Sequence, residues 1–273
     1  MEAFFFVPGN RLHKIGSMLE PYSSNIIIDL EDAVKESERG AIMKQLVYDS
    51  SFQEHYIRLP LYDFSGERLD LLENLVKAGY SKFVFPKIDT IGEFEAIYPT
   101  INNRNVEVIL LVETPRLFLE TRALLTKYHE CFSGIGLGSH DFMSVVGGTH
   151  SLPNLEYVRQ HILYLAKAFN IIAIDIASMQ LSGNKELKDE IMDGFNKGYD
   201  GKFFIHPWQI EVLKTIKFYS EEEHKWALMI EDQLKKGGSS DEFNPVVIDG
   251  QVIERPHLKR AERILKFYKH EGE

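Results

Sequence analysis

Short apolar runs rich in β-branched and aromatic residues recur along the chain at intervals of about 20 to 40 residues. They occupy positions 4–7, 25–30, 55–59, 82–86, 107–112, 132–137, 171–174 and 201–205. Between them lie segments with helical spacing. Leu155, Val158, Ile162, Leu165, Ala166 and Phe169 share one face at period 3.6, and Leu71, Leu72, Leu75 and Val76 do the same ahead of Gly79. Nearly continuous apolar strands alternating with helices predict a parallel sheet covered on both faces. Eight repeats suit a closed (β/α)₈ barrel, and an open doubly wound sheet is the competing arrangement.

The polar residues that follow each run favour the barrel. Pro8, Asn10 and Arg11 follow the first, and Asp29, Glu31 and Asp32 lie at the end of the second. Arg58, Lys87 and Glu113 follow the third, fourth and fifth, and Asp141, Asp175 and His206 the last three. A barrel gathers all of these at the C-terminal mouth, where such folds build their sites. The barrel is expected to span 1–207. The remainder, 208–273, has no further repeat and reads as an extension that covers the mouth. It contains a helix from Ser220 to Lys236, a glycine- and serine-rich connection at 237–240, and a hairpin turning at Asp249-Gly250. A last helix opens at Pro256.

Composition removes several function classes. With 31 lysines and arginines against 41 acids the net charge is −10, which opposes general nucleic-acid binding. No apolar run approaches the ~20 residues that span a bilayer, and the N-terminus does not read as a signal peptide. A cytoplasmic enzyme is the expected class. The lone Cys131 excludes an internal disulfide and a cysteine-rich metal site.

Glu113 and Asp141, at the ends of neighbouring strands, bring two carboxylates to one edge of the mouth. Hard oxygen donors without sulfur favour Mg²⁺, with Mn²⁺ as a substitute; rim salt bridges or helix caps are the bland alternative. Arg58 offers a guanidinium for a substrate carboxylate, or a partner for Asp29 or Glu31, or both. If substrate is its role, Arg58→Lys leaves the melting temperature little changed. Asp29, Glu31 and Asp32 read equally well as helix-capping acids. The glycines of 134–138 read as a strand that allows close approach rather than as a nucleotide loop.

Taken together, FFFVPGNR at the start, IIIDLEDAV at 26–34, IRLP at 57–60, FVFPK at 83–87 and LLVETP at 110–115 resemble the HpcH/HpaI aldolase and citrate lyase β-subunit family, in its CitE-like branch. GLGSHDF at 136–142, LEYVRQ at 155–160, DGKFFIHPWQI at 200–210 and VIDGQVIERPHLKRAERIL at 247–265 continue the match to the tail. The resemblance implies a (β/α)₈ barrel assembled as a homotrimer or hexamer. It implies Mg²⁺ on Glu113 and Asp141, and Arg58 on the substrate carboxylate. Pro8, Arg11, Lys14, Lys87, Ile205 and His206 would then face a coenzyme A thioester and its 2-oxo or 2-hydroxy acid. It further implies that Glu254, carried over a neighbouring subunit's mouth, serves as general acid/base. Failing that, the base falls among Asp29, Glu31 and Asp32.

The expected activity is carbon–carbon bond cleavage or formation between an acyl-CoA enolate and a 2-oxo acid. Citryl, malyl and citramalyl thioesters are the familiar substrates of the branch. A Mg²⁺-dependent 2-oxo-acid aldolase without coenzyme A is the alternative, and a non-catalytic metabolite-binding barrel is a remoter one. Three departures from the family pattern stand out. RLPLYD replaces the usual Arg-Ile-Asn start, Ser17 stands where a basic residue is frequent, and Glu254 replaces aspartate.

Overall fold

The structure is a computed structural model that describes residues 1–15, 25–61, 66–102, 104–237, 245–248 and 250–271. Ser17, the connection at 238–240 and Asp249 lie outside the described residues. Eight parallel strands close in chain order into one barrel, so the open sheet is excluded. They are β1 (Glu2–Pro8), β2 (Asn25–Asp29), β3 (Tyr56–Arg58), β4 (Lys82–Phe85), β5 (Glu107–Val112), β6 (Phe132–Leu137), β7 (Ile172–Asp175) and β8 (Gly201–Phe204). Each strand sits within two residues of an apolar run, because only such runs can be buried on both faces.

The helices are α1 (Glu36–Tyr48), α2 (Gly66–Lys77), α3 (Ile91–Ile101), α4 (Pro115–Tyr128), α5 (Ser139–Val146), α6 (Leu152–Phe169), α7 (Asn184–Lys197) and α8 (Pro207–Lys214). Side-chain caps start several of them: Thr90, Thr114 and Ser151 each accept from a backbone N–H of the first turn.

Period two decides what fills the barrel. Phe4, Ile27, Tyr56, Val84, Ile109, Ile174 and Phe203, one from each of seven strands, form a single buried cluster. The eighth strand, β6, contributes glycine instead. A Cβ on Gly136 would lie 2.4 Å from the Phe203 ring, so the missing side chain is the space that the phenylalanine occupies.

The same parity corrects one sequence expectation. Asp175 does not join the mouth. It follows the inward-facing Ile174, so its side chain points outward, where Arg159 of α6 donates to both its oxygens at 3.0 and 2.8 Å. Arg159 and Asp175 are both fully buried, and a Cβ on Gly194 of α7 would lie 2.3 Å from the Asp175 carboxylate. The residue is an ion-pair partner in the helix layer.

Contacts divide the chain into two units, Met1–Thr215 and Ile216–Glu273. The first unit takes in α8, beyond the 207 boundary read from the sequence, because that helix completes the eighth strand–helix repeat. The second contains α9 (Glu221–Gly237), the antiparallel pair β9 (Val246–Ile248) and β10 (Gln251–Ile253), and α10 (Arg255–Glu271). Its apolar centre joins Ala227 and Ile230 to Ile253, Leu258, Ala261 and Ile264. Among the described residues, no helix is long and apolar enough to cross a membrane.

Candidate active site

Strand register begins the site. Asp29 and Arg58 are paired residues at the ends of β2 and β3. The Asp29 carboxylate accepts from the backbone N–H groups of Glu31 at 2.9 Å and Ala33 at 3.3 Å, a local turn that an aspartate is suited to make. It also takes the fork of Arg58, with Nε at 2.8 Å from Oδ1 and Nη2 at 2.6 Å from Oδ2. The remaining Nη1 lies 3.1 Å from the fully buried Glu31, and the guanidinium sits over the Phe6 ring at 4.8 Å.

Burial pulls the Arg58 pKa down, but the hydrogen bonds and charge of Asp29, with the charges of Glu31 and Glu113, outweigh it and hold the cation. Of the alternatives for Arg58, the internal ion pair is therefore present. The expectation that the residue matters little for folding does not fit a fork so buried and so fully engaged.

Lys87 adopts a φ of 52°, in the left-handed region that non-glycine residues rarely enter. That turn aims its backbone N–H at Glu113 Oε2, 2.7 Å away. Its ammonium reaches back to Glu31 at 2.9 Å and Asp32 at 3.0 Å. Lys87 thus links the acids of β2 to the carboxylate of β5.

Glu113 is only 2% exposed. Burial above all, then the nearby charge of Glu31, pushes its pKa up to about 8, against the pull of Arg58 and the Lys87 N–H. Asp141 adds to the rise from the first turn of α5. Space for the Glu113 carboxyl comes from Gly138, where a Cβ would lie 2.4 Å from Cγ and 2.5 Å from Oε1. Gly138→Ala is accordingly expected to displace the carboxyl and weaken binding of a divalent cation at least tenfold, checked by calorimetry. Unchanged affinity would show that Glu113 does not hold the ion.

Asp29, Asp32, Arg58, Glu113 and Asp141 all line one cavity of about 380 Å³ at the barrel mouth. Pro8 and Ile205 line it as well. The other residues singled out from the sequence lie elsewhere. Arg11 and Lys14 are exposed in the Gly9–Lys14 segment after β1. His206 caps α8, its Nδ1 accepting from the Trp208 N–H at 3.2 Å. Glu254 belongs to the second unit, where its N–H donates to His257 Nδ1 at 2.9 Å ahead of α10.

The lining residues that sequence reasoning missed include Phe6, Ser139, His140, Met179 and Phe203. Ser139 and His140 were readable from adjacency to Asp141, whereas Phe6 and Phe203 needed barrel closure to show which side of their strands faces inward. Met179 carried no signal. Ser139 Oγ is 2.9 Å from His150 Nε2, and the His140 and His150 rings stack with centroids 3.8 Å apart.

The donor set suits a hard cation. Glu113 and Asp141 converge on the cavity without a thiol, and burial holds Glu113 unfavourably for a free anion. Among the described residues no group of three or more His, Cys, Asp or Glu forms a metal cage. Mg²⁺ commonly keeps several waters and binds through one or two carboxylates, the number that Glu113 and Asp141 supply.

The HpcH/HpaI aldolase/citrate lyase family model matches residues 2–207. The citrate lyase subunit beta of Leuconostoc mesenteroides subsp. cremoris is 27% identical over 96% of this chain and 91% of its own. The mitochondrial citramalyl-CoA lyase of Homo sapiens is 28% identical over 95% of this chain and 83% of its own. Among solved structures, CitE of Mycobacterium tuberculosis, in complex with magnesium, acetoacetate and coenzyme A, superimposes with a TM-score of 0.81. It is 23% identical and covers 97% of both chains. With a match across the whole barrel and into the site just described, this chain belongs to the HpcH/HpaI aldolase/citrate lyase family.

Proposed function

We propose that the protein is a Mg²⁺-dependent carbon–carbon lyase that joins or separates an acyl-CoA enolate and a 2-oxo acid. The observation that carries this reading is the Glu113 and Asp141 pair opening, beside Arg58, into a cavity of about 380 Å³. Relatives named for citrate lyase and citramalyl-CoA lyase support the coenzyme A reading over the aldolase that uses none. The retained acids and arginine speak against a non-catalytic barrel.

Glu113 and Asp141 would hold Mg²⁺, or Mn²⁺ in its place. When bound, the cation supplies Lewis-acid polarisation of the 2-oxo acid. Arg58, locked by Asp29 and Glu31, presents the rest of its guanidinium at a fixed angle, which orients the substrate carboxylate. Phe6 beneath it keeps water from that side. In the cleavage direction a carboxylate base takes the proton of the substrate hydroxyl. The carbon–carbon bond then breaks, leaving the 2-oxo acid and a thioester enolate that accepts a proton.

Pro8, Arg11, Lys14, Ile205 and His206 flank the side on which the coenzyme A arm would lie. Lys87 acts by holding Glu113 and the β2 acids in register. Glu254 is the proposed acid/base, delivered to a neighbouring mouth in a homotrimer or hexamer, and the enzyme is cytoplasmic.

Incubating the protein and Mg²⁺ with citryl-, malyl- and citramalyl-CoA, and assaying released 2-oxo acid, tests the reading; no release from any thioester would sink it. Glu254→Gln is expected to lower turnover by about 10²–10⁴-fold, the usual worth of a positioned proton-transfer group, with Mg²⁺ binding intact. Mixing that variant with Arg58→Ala protein is expected to restore part of the activity. Wild-type turnover in Glu254→Gln would move the role to Asp32, the exposed acid of the cavity wall. Asp29 is already engaged by Arg58 and two backbone N–H groups, and Glu31 by the charges of Arg58 and Lys87.

A further inference from the structure

Residues 176–180 follow β7 without regular secondary structure, yet Ala177 and Met179 line the cavity. Buried backbone outside a helix or sheet must find its hydrogen bonds elsewhere. Here every second carbonyl is met by a side chain of the next strand–helix unit. Lys202 of β8, fully buried, donates to the Ile176 carbonyl at 2.5 Å and to Glu190 Oε1 at 2.6 Å. Gln209, in the first turn of α8 and also fully buried, donates through Nε2 to the carbonyls of Ser178 at 2.8 Å and Gln180 at 2.9 Å.

Gln209 has a second hold. Its Oε1 accepts from the backbone N–H groups of Ile205 at 2.9 Å and His206 at 3.3 Å, so both donors and both lone pairs of one amide engage main chain. One side chain therefore joins the loop after β7 to the loop after β8. Three cavity residues, Ala177, Met179 and Ile205, take their places from that junction. A carboxylate of the same shape accepts but cannot donate, and a lysine donates but cannot accept. The charged groups of the site are held by other means, Glu113 by the Lys87 N–H and Arg58 by Asp29 and Glu31.

We infer that Gln209 is a positioning residue for the acyl-CoA thioester, acting through the backbone of Ile205 and of the 178–180 segment, with no part in holding the cation. The inference rests on the proposed lyase reading and deepens it, since Ile205 stands on the side assigned to the coenzyme A arm. With the amide in place the two loops meet the thioester already ordered. Without it, four buried backbone groups lose their partner and the loops must be ordered by the ligand.

Calorimetry on the full chain tests this, with Mg²⁺ titrated first and acetyl-CoA then titrated into the loaded protein. In Gln209→Met the acetyl-CoA dissociation constant is expected to rise about tenfold, the order of affinity lost when a preorganised segment must be ordered on binding. The Mg²⁺ constant is expected to stay at its wild-type value. Gln209→Glu keeps the acceptor for Ile205 and loses both donors, so its acetyl-CoA affinity is expected to fall between the two. A merely structural role would lower the melting temperature and leave both constants of the folded protein unchanged. That result overturns the inference and leaves the lyase reading standing, as does a parallel loss of acetyl-CoA and Mg²⁺. If Gln209→Met does not fold, Met179→Ala reads the same wall from a side chain that is 53% exposed. It is expected to weaken acetyl-CoA about tenfold through lost apolar contact, and unchanged affinity there overturns the inference. Wild-type protein that binds Mg²⁺ but no acetyl-CoA defeats the lyase reading, and the inference with it.

Discussion

Glu113→Gln is expected to abolish Mg²⁺ binding, and in the wild-type protein that binding is expected to weaken about tenfold for each pH unit below about 8. Burial raises the Glu113 pKa because the anion has lost its water, and Glu31 adds like-charge repulsion. Proton and cation therefore compete for the same oxygens, and loading the ion releases a proton. Titrations in buffers of different ionisation enthalpy count that proton directly. Asp141→Asn is expected to weaken the ion as well. Binding that survives both substitutions would remove the carboxylate pair from the site.

The same shift sets the stability of the metal-free protein, with a definite sign. A carboxyl whose folded pKa lies above its unfolded value binds its proton more tightly when folded. Its contribution is complete below the unfolded value near 4.3, and is lost as pH rises toward about 8. Glu31, raised chiefly by burial, acts in the same direction. The melting temperature without metal is expected to fall across that window. Glu113→Gln removes much of the fall, and Mg²⁺ offsets it in the wild type. A flat profile would show that Glu113 is already ionised in the folded protein.

Arg58→Ala is expected to cost about 3–5 kcal/mol of folding stability, measured by denaturant unfolding. Its side chain is 12% exposed and neutralises Asp29, at 3%, and Glu31, at 0%; removing it leaves two buried carboxylates with reduced compensation. Arg58→Lys keeps the charge but loses the planar fork, so one of the parallel bonds to Asp29 disappears and the loss is intermediate. An alanine variant as stable as wild type would show that these acids are protonated or hydrated without the arginine. Both variants are also expected to bind 2-oxo acids poorly, since the positioning pair and the binding group are one residue.

The eight apolar runs sufficed to name the strands because a parallel strand buried on both faces must be apolar nearly throughout. Chain order then gathered every strand end at one mouth. Asp29, Arg58, Glu113 and Asp141 were readable as site residues for that reason alone. The same apolar continuity hid which side of each strand faces the barrel. Asp29, Arg58 and Glu113 lie two residues beyond the inward Ile27, Tyr56 and Leu111, whereas Asp175 lies one beyond Ile174. Closure of the barrel set that reference, sending three groups into the cavity and Asp175 out to Arg159.

Tertiary packing also decided the use of each charge. Register across β2 and β3 put Arg58 beside Asp29, and a left-handed Lys87 turned its N–H to Glu113. Burial among these neighbours, invisible in any local stretch, raised the Glu113 pKa. The sequence by itself determined which groups reach the mouth, because strand order and period are local properties of the chain. The folded barrel decided their pairing and their protonation, because those depend on distances between residues far apart in sequence.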